Sequence, residues 1–201
     1  MKRAKLNRSE IIAALAVIVV LLVGVMQMRP NPDLLRFEVQ GNRAYGYGFT
    51  DDRSIGVISK LRRQHPQVDT LVLMDMPGTR DADMNLQLAR RIRKAGLKTH
   101  LQADSYIASG AVDLFLAGER RTMECGAKIG VHAWSAFGVL DAQEAFYDDR
   151  QKSHEHFLTE MGIDKSFYAF TRSAAPADGI YWLTATDIER FGLLSEAVEC
   201  G

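Results

Sequence analysis

The feature that most restricts this chain is an uncharged apolar run over residues 11–28, relieved only by Gly24 and Gln27. Coiled as a helix rising about 1.5 Å per residue, such a run spans about 27 Å, close to the hydrocarbon thickness of a bilayer. There a helix satisfies its own backbone polar groups, and an irregular chain does not. Lys2, Arg3, Lys5 and Arg8 precede the run, while only Arg29 and Arg36 follow it closely. That bias puts the N-terminus in the cytoplasm and the rest of the chain outside it, on the periplasmic side of an inner membrane. A cleaved signal peptide is the alternative, but Val23-Gly24-Val25-Met26-Gln27-Met28 is a poor small-x-small cleavage sequence. The expected organisation is a basic cytoplasmic segment (1–10), a single transmembrane anchor (11–28), a linker carrying Pro30 and Pro32 (29–36) and one folded domain (37–201).

The remaining composition excludes more than it suggests. Twenty-five basic and 25 acidic residues balance to zero net charge, which gives no support for a nucleic-acid partner. Cys125 and Cys200 either form one disulfide, as an oxidising compartment permits, or remain separate thiols. The histidines and cysteines form no ligand-spaced cluster, and His154 and His156 would point to different sides of a helix. No metal or cofactor is expected from this pattern.

Beyond the linker, strand and helix signals alternate. Residues 36–40 and 43–47 read as strands joined by the two-residue turn Gly41-Asn42. Thr50-Asp51-Asp52 offers caps for a helix to about residue 64, with Ile55, Ile58 and Leu61 on one face. Residues 68–76 form an apolar run ending in Pro77-Gly78, as a buried parallel strand would. A helix is expected over 81–95, where Met84, Leu88 and Ile92 recur and Gly96 terminates it. Then follow a strand at 98–102, a helix at 107–117, a strand at 128–133, a long polar helix at 141–161 and a short helix at 186–191. This alternation implies an α/β fold built on a mostly parallel sheet with covered faces.

The order of several small motifs adds a family. Gly48-Phe49-Thr50-Asp51 leading to Leu73-Met74-Asp75-Met76-Pro77-Gly78-Thr79 resembles the opening of the Clp protease proteolytic subunit, where a Ser-Pro-Gly-Gly turn follows the second strand. Ala108-Ser109-Gly110-Ala111 looks like that family's nucleophile turn. Ala117-Gly118-Glu119-Arg120-Arg121 and Ala127-Lys128-Ile129-Gly130-Val131-His132 are similar to its path to the catalytic histidine. Tyr181-Trp182-Leu183-Thr184-Ala185 with Phe191-Gly192-Leu193 resembles its closing signature. The resemblance covers residues 45–198 and extends to bacterial, often periplasmic, Clp-like proteins. It implies the stacked ββα units of the Clp protease/crotonase superfamily, a peptide or protein substrate and assembly into homo-oligomers. Phe146, Tyr147 and Phe157 are candidates for an oligomer interface or for ordinary core packing.

On this resemblance Ser109 is the nucleophile and His132 the general base that takes its proton. The oxyanion would be met by backbone N–H groups of Gly110 and of the Gly78-Thr79 turn. Two departures stand out. The position of the family's aspartate is Ile180, so the acid is Asp178, or Asp148 or Asp149 on the long helix, or is missing. Thr79 replaces a glycine, which requires it to take up a backbone geometry that glycine tolerates more easily. A Ser–Lys dyad would draw on Lys98 or Lys128, neither convincingly placed, and the paired-glycine and CoA-contact motifs of crotonases are not found. The other histidines read as surface residues. Two functions follow: a membrane-tethered serine hydrolase, which the resemblance implies is a peptidase, or an extracytoplasmic binding or scaffold protein that keeps the fold without catalysis.

Overall fold

The computed structural model describes residues 33–133 and 143–200. The sequence-read anchor (11–28) lies outside them, and among the described residues no helix is long and apolar enough to cross a membrane. The residues from Asp33 onward form a compact unit of their own.

The expected hairpin is present. Strands β1 (Arg36–Gln40) and β2 (Arg43–Tyr47) pair antiparallel, with Gln40 opposite Arg43 across the Gly41-Asn42 turn. A 3-10 turn (Asp52–Gly56), capped by Asp51, then feeds helix α1 (Val57–Gln64), whose Ile58 and Leu61 are buried.

The apolar run at 68–76 is divided between two sheets. Its first part is β3 (Thr70–Leu73), paired in parallel with β2 and with β5 (Lys98–Leu101). Its last part is β4 (Asp75–Met76), which leaves that sheet and pairs in parallel with β6 (Tyr106–Ala108). Between them lies helix α2 (Ala82–Lys94); Asp81 caps it by accepting from the Met84 N–H, and Leu86, Leu88, Ala89 and Ile92 are buried.

The helix expected over 107–117 is corrected. Its first residues are strand β6, and helix α3 occupies only Gly110–Leu116. Apolar composition does not separate a buried strand from a buried helix; pairing of Ile107 with both Met76 and Ile129 decides it. Three elements were not anticipated: β7 (Arg121–Met123), paired with β5; a helix at Ser166–Ala174 that follows the long helix α4 (Gln143–Glu160) and is α5 here; and the strand at Tyr181–Trp182. Between α3 and α4 comes β8 (Lys128–Val131); β9 (Tyr181–Trp182) and α6 (Ala185–Arg190) close the domain.

The sheets are thus β1-β2-β3-β5-β7 and β4-β6-β8-β9, with β9 antiparallel to β8. Both are parallel except at β1 and β9, as α/β patterning requires. Leu71, Leu88, Leu101, Ile107, Leu114 and Phe115 fill the core, each worth about 1.5–3 kcal/mol on burial. Phe157 is fully buried, which places it in the core rather than at an interface; Phe146 and Tyr147 have side chains outside the described set.

Cys125 and Cys200 form a disulfide that ties the residues after β7 to the C-terminal segment, beside the Cys125 N–H donating to the Glu199 carbonyl at 2.9 Å. The crosslink encloses a sequence separation of 75 residues. Closing a loop of that length removes about 4 kcal/mol worth of unfolded-state freedom. Replacing both cysteines with serine is therefore expected to lower the thermal midpoint by roughly 10 °C. Differential scanning calorimetry of the double variant tests this, and an unchanged midpoint would refute it.

Candidate functional site

The site residues gather at one edge of the smaller sheet because three parallel strands end there side by side. β4 and β6 pair with Met76 opposite Ile107, and β6 and β8 pair with Ala108 opposite Gly130. Continuing each strand by one or two residues brings Gly78, Ser109 and His132 to the same edge. The Ser109 N–H donates to the Gly130 carbonyl at 3.0 Å, carrying the pairing one residue past β6.

Ser109 is half-buried and stands between β6 and α3 with φ 54° and ψ −131°. Among the described residues it is the one non-glycine with positive φ. A side chain held there costs on the order of 1–3 kcal/mol, so the neighbours must enforce it. Gly78 does so from β4. Its φ is 144°, and a Cβ at that position would lie 3.0 Å from Ser109 Cβ and 3.4 Å from its Oγ. Gly110 does so from the helix side, where a Cβ would meet Thr79 Cγ2 at 2.4 Å. Thr79 itself is not in the left-handed region, so the feared cost at this residue falls on Gly78 instead.

Below the edge runs a buried polar network. The Thr50 hydroxyl donates to Asn85 Oδ1 at 2.7 Å; the two residues are 0% and 1% exposed. Asn85 Nδ2 donates to the Gly110 carbonyl at 2.8 Å and to Asp113 Oδ2 at 3.1 Å. Thr50 also donates its N–H to the Gly78 carbonyl at 3.1 Å and accepts from the Arg80 N–H at 2.8 Å. One pair of residues, Thr50 through its backbone and Asn85 through its side chain, thereby grips both the Gly78-Thr79 turn and the first turn of α3.

His132 lies one residue beyond β8 and is half-buried. No hydrogen bond joins its ring to Ser109 Oγ, and its buried Nδ1 has no partner among the described residues. The pairing of β8 with β9 ends at Val131 opposite Tyr181, and Ile180, where the family has its aspartate, is an exposed aliphatic side chain. Asp178 is exposed in the turn closed by the Gly179 N–H to Pro176 carbonyl bond of 3.0 Å, without a hydrogen bond to His132. Asp149 is exposed on α4, and the side chain of Asp148 is outside the described set. Of the lysines, Lys128 starts β8 opposite Tyr106, at the far end of that strand from Ser109, and Lys98 is paired with Asp69 at 3.0 Å on the other sheet.

The closing motif holds β9 in place. Thr184 caps α6, and Asp187 accepts from the Thr184 hydroxyl and N–H and from the Tyr181 hydroxyl. The Thr184 bonds, foremost, keep the Asp187 carboxyl below the usual carboxylate range.

Two histidines read as surface residues are placed otherwise. His100 is buried, with its ring nitrogens 2.8 Å from Thr122 Oγ1 and 3.2 Å from Glu124 Oε1. His154 packs inward against Asp113 and Tyr168. Asn85 escaped the sequence reading too, although the pattern held a signal. It takes the same face of α2 as Leu88, Ala89 and Ile92, so a polar residue sits on an apolar stripe.

No family model matches the sequence, and no curated protein does. Solved structures do. A ClpP1 variant from Listeria monocytogenes superposes with a TM-score of 0.57 at 15% identity, over 79% of this chain and 92% of that one. A membrane-bound stomatin-specific protease gives 0.52 at 14% identity, over 79% and 80%. A member of the enoyl-CoA hydratase/isomerase family gives 0.50 at 13% identity, over 86% and 71%. The chain has the Clp protease/crotonase fold. At these identities the likeness extends to the fold and no further.

Asn85→Ala would leave the Thr50 hydroxyl buried without its acceptor and would take from the Gly110 carbonyl and Asp113 the donor that joins them to α2. The expected cost is roughly 2–5 kcal/mol, read as a lower urea midpoint. A midpoint within experimental scatter of the wild type would show that the network holds nothing in place.

Proposed function

We propose that this protein is a membrane-tethered serine hydrolase acting on peptides, with Ser109 as nucleophile and His132 as base. The observation that carries the reading is Ser109 itself. A lone strained residue at a strand-to-helix turn, wedged against Gly78 and facing the end of the strand that bears His132, is how a scaffold presents a hydroxyl. His132 would accept the serine proton and return it to the leaving group. The N–H groups of Gly110 and of the Gly78-Thr79 turn would meet the oxyanion. The two proteases among the structural neighbours favour this chemistry over acyl-CoA hydration, which the same fold also supports.

The extracytoplasmic placement rests on the apolar run at 11–28 and its cation bias. The Cys125–Cys200 disulfide supports it, since such bonds persist in oxidising compartments.

A second reading, a fold retained for binding, is favoured by one observation. His132 Nδ1 lacks, among the described residues, the acceptor that orients a catalytic imidazole. Labelling with a fluorophosphonate separates the two. Applied to the full chain in detergent, the probe is expected to modify the wild type and to fail on Ser109→Ala and His132→Ala. A folded wild type that resists labelling would sink the hydrolase reading and leave the scaffold.

A further inference from the structure

The polar network beneath Ser109 ends in a titratable pair that the serine chemistry does not use. Asp113 lies on α3, one turn beyond Ser109, and its Oδ2 is 3.8 Å from His154 Nε2 on α4. That separation makes a charge contact rather than a short hydrogen bond. The side chains are only 16% and 13% exposed. His154 Nδ1 is 3.2 Å from the Arg150 carbonyl oxygen, which can only accept, so Nδ1 carries a proton. The protonation of Nε2 then decides whether the contact attracts or repels. An imidazolium N–H faces the carboxylate favourably, whereas a bare nitrogen lone pair opposes it.

The groups around His154 favour the charged form. The Tyr168 ring of α5 stacks on it at 4.7 Å and 15°, an arrangement that suits a cation. Arg150, on its own helix, opposes protonation but is itself 3.2 Å from Asp83 of α2. Burial works to lower the His154 pKa; the contact with the Asp113 carboxylate and the bond to the Arg150 carbonyl outweigh it, and the net shift is upward.

We propose that protonated His154 is a positioning residue for the nucleophile turn: it holds Asp113, which together with Asn85 fixes the Gly110 carbonyl and so the geometry of Ser109. The consequence for serine reactivity rests on the hydrolase reading, while the ordering of the turn does not. The direction with pH follows from linkage. A histidine whose folded pKa is raised contributes stability that is complete below its unfolded value, about 6.5, and is lost as pH rises through the folded value. The first turn of α3 therefore loosens on the alkaline side. A histidine base acts in the opposite sense, since it must first lose its proton. Wild-type reactivity is accordingly bell-shaped.

The test follows the full chain in detergent from about pH 5 to 9, the range in which histidines titrate. Two quantities are read: hydrogen-exchange protection factors of the amides in the first turn of α3, and the rate of fluorophosphonate modification of Ser109. In the wild type both are expected to fall several-fold on the alkaline side. In His154→Gln the alkaline fall disappears while the acid limb of the rate remains. In Asp113→Asn the fall moves to lower pH, because the charge that retains the proton is gone. That second variant also answers if His154→Gln does not fold. Protection that stays level with pH in the wild type, or an alkaline fall that survives unchanged in His154→Gln, overturns the proposal. If the serine is never modified, the hydrolase reading fails, and the protection factors still decide this one.

Discussion

The arrangement at the sheet edge depends on one buried hydrogen bond, from the Thr50 hydroxyl to Asn85 Oδ1. Neither residue reaches solvent, so each polar atom must find its partner inside the protein. Asn85 has two amide hydrogens left to place and spends them on the Gly110 carbonyl and on Asp113. Thr50 has a backbone N–H and a carbonyl left, and these bind the Gly78 carbonyl and the Arg80 N–H. Satisfying this small set of groups fixes two turns that arise from distant parts of the chain. The network forms one geometry because any displacement strands a donor or acceptor where water does not compensate.

That rigidity is what a strained serine requires. A residue at positive φ relaxes unless its surroundings over-determine it. Gly78, Thr79 and Asn85 crowd the turn so closely that side-chain growth at Gly78 or Gly110 would collide with Ser109 or with Thr79. Strain at Ser109 and close packing around it are thus two views of the same constraint. The Asp113–His154 contact extends this constraint to α4, and through the Tyr168 ring to α5, so helices far along the chain bear on the turn.

The fold by itself leaves the chemistry open. Structures superposing at comparable TM-scores include proteases and an enoyl-CoA hydratase/isomerase family member. What separates such activities is the set of groups at the strand ends, and here that set is a serine, a histidine and backbone turns. Among the described residues the buried Nδ1 of His132 has no partner, and the position of the family's aspartate is the exposed aliphatic Ile180.

Local chemistry was legible in the sequence wherever one segment sufficed. The hairpin at Gly41-Asn42, the helix expected over 81–95 and its apolar face needed only turn and periodicity rules. The order of short motifs likewise announced the fold and marked Ser109 and His132. Tertiary structure decided what depends on pairing between distant strands. The run at 68–76 is one apolar stretch by composition, yet it divides because Leu73 and Met76 find partners in different sheets. The segment at 107–117 begins as a strand because β4 and β8 flank Ile107. The pairing of Cys125 with Cys200 and the inward turn of His154 were equally out of reach of spacing. The physical reason is common to all of these: propensity acts over a few residues, whereas hydrogen-bond partners and burial are supplied by residues that are neighbours only once the chain has folded.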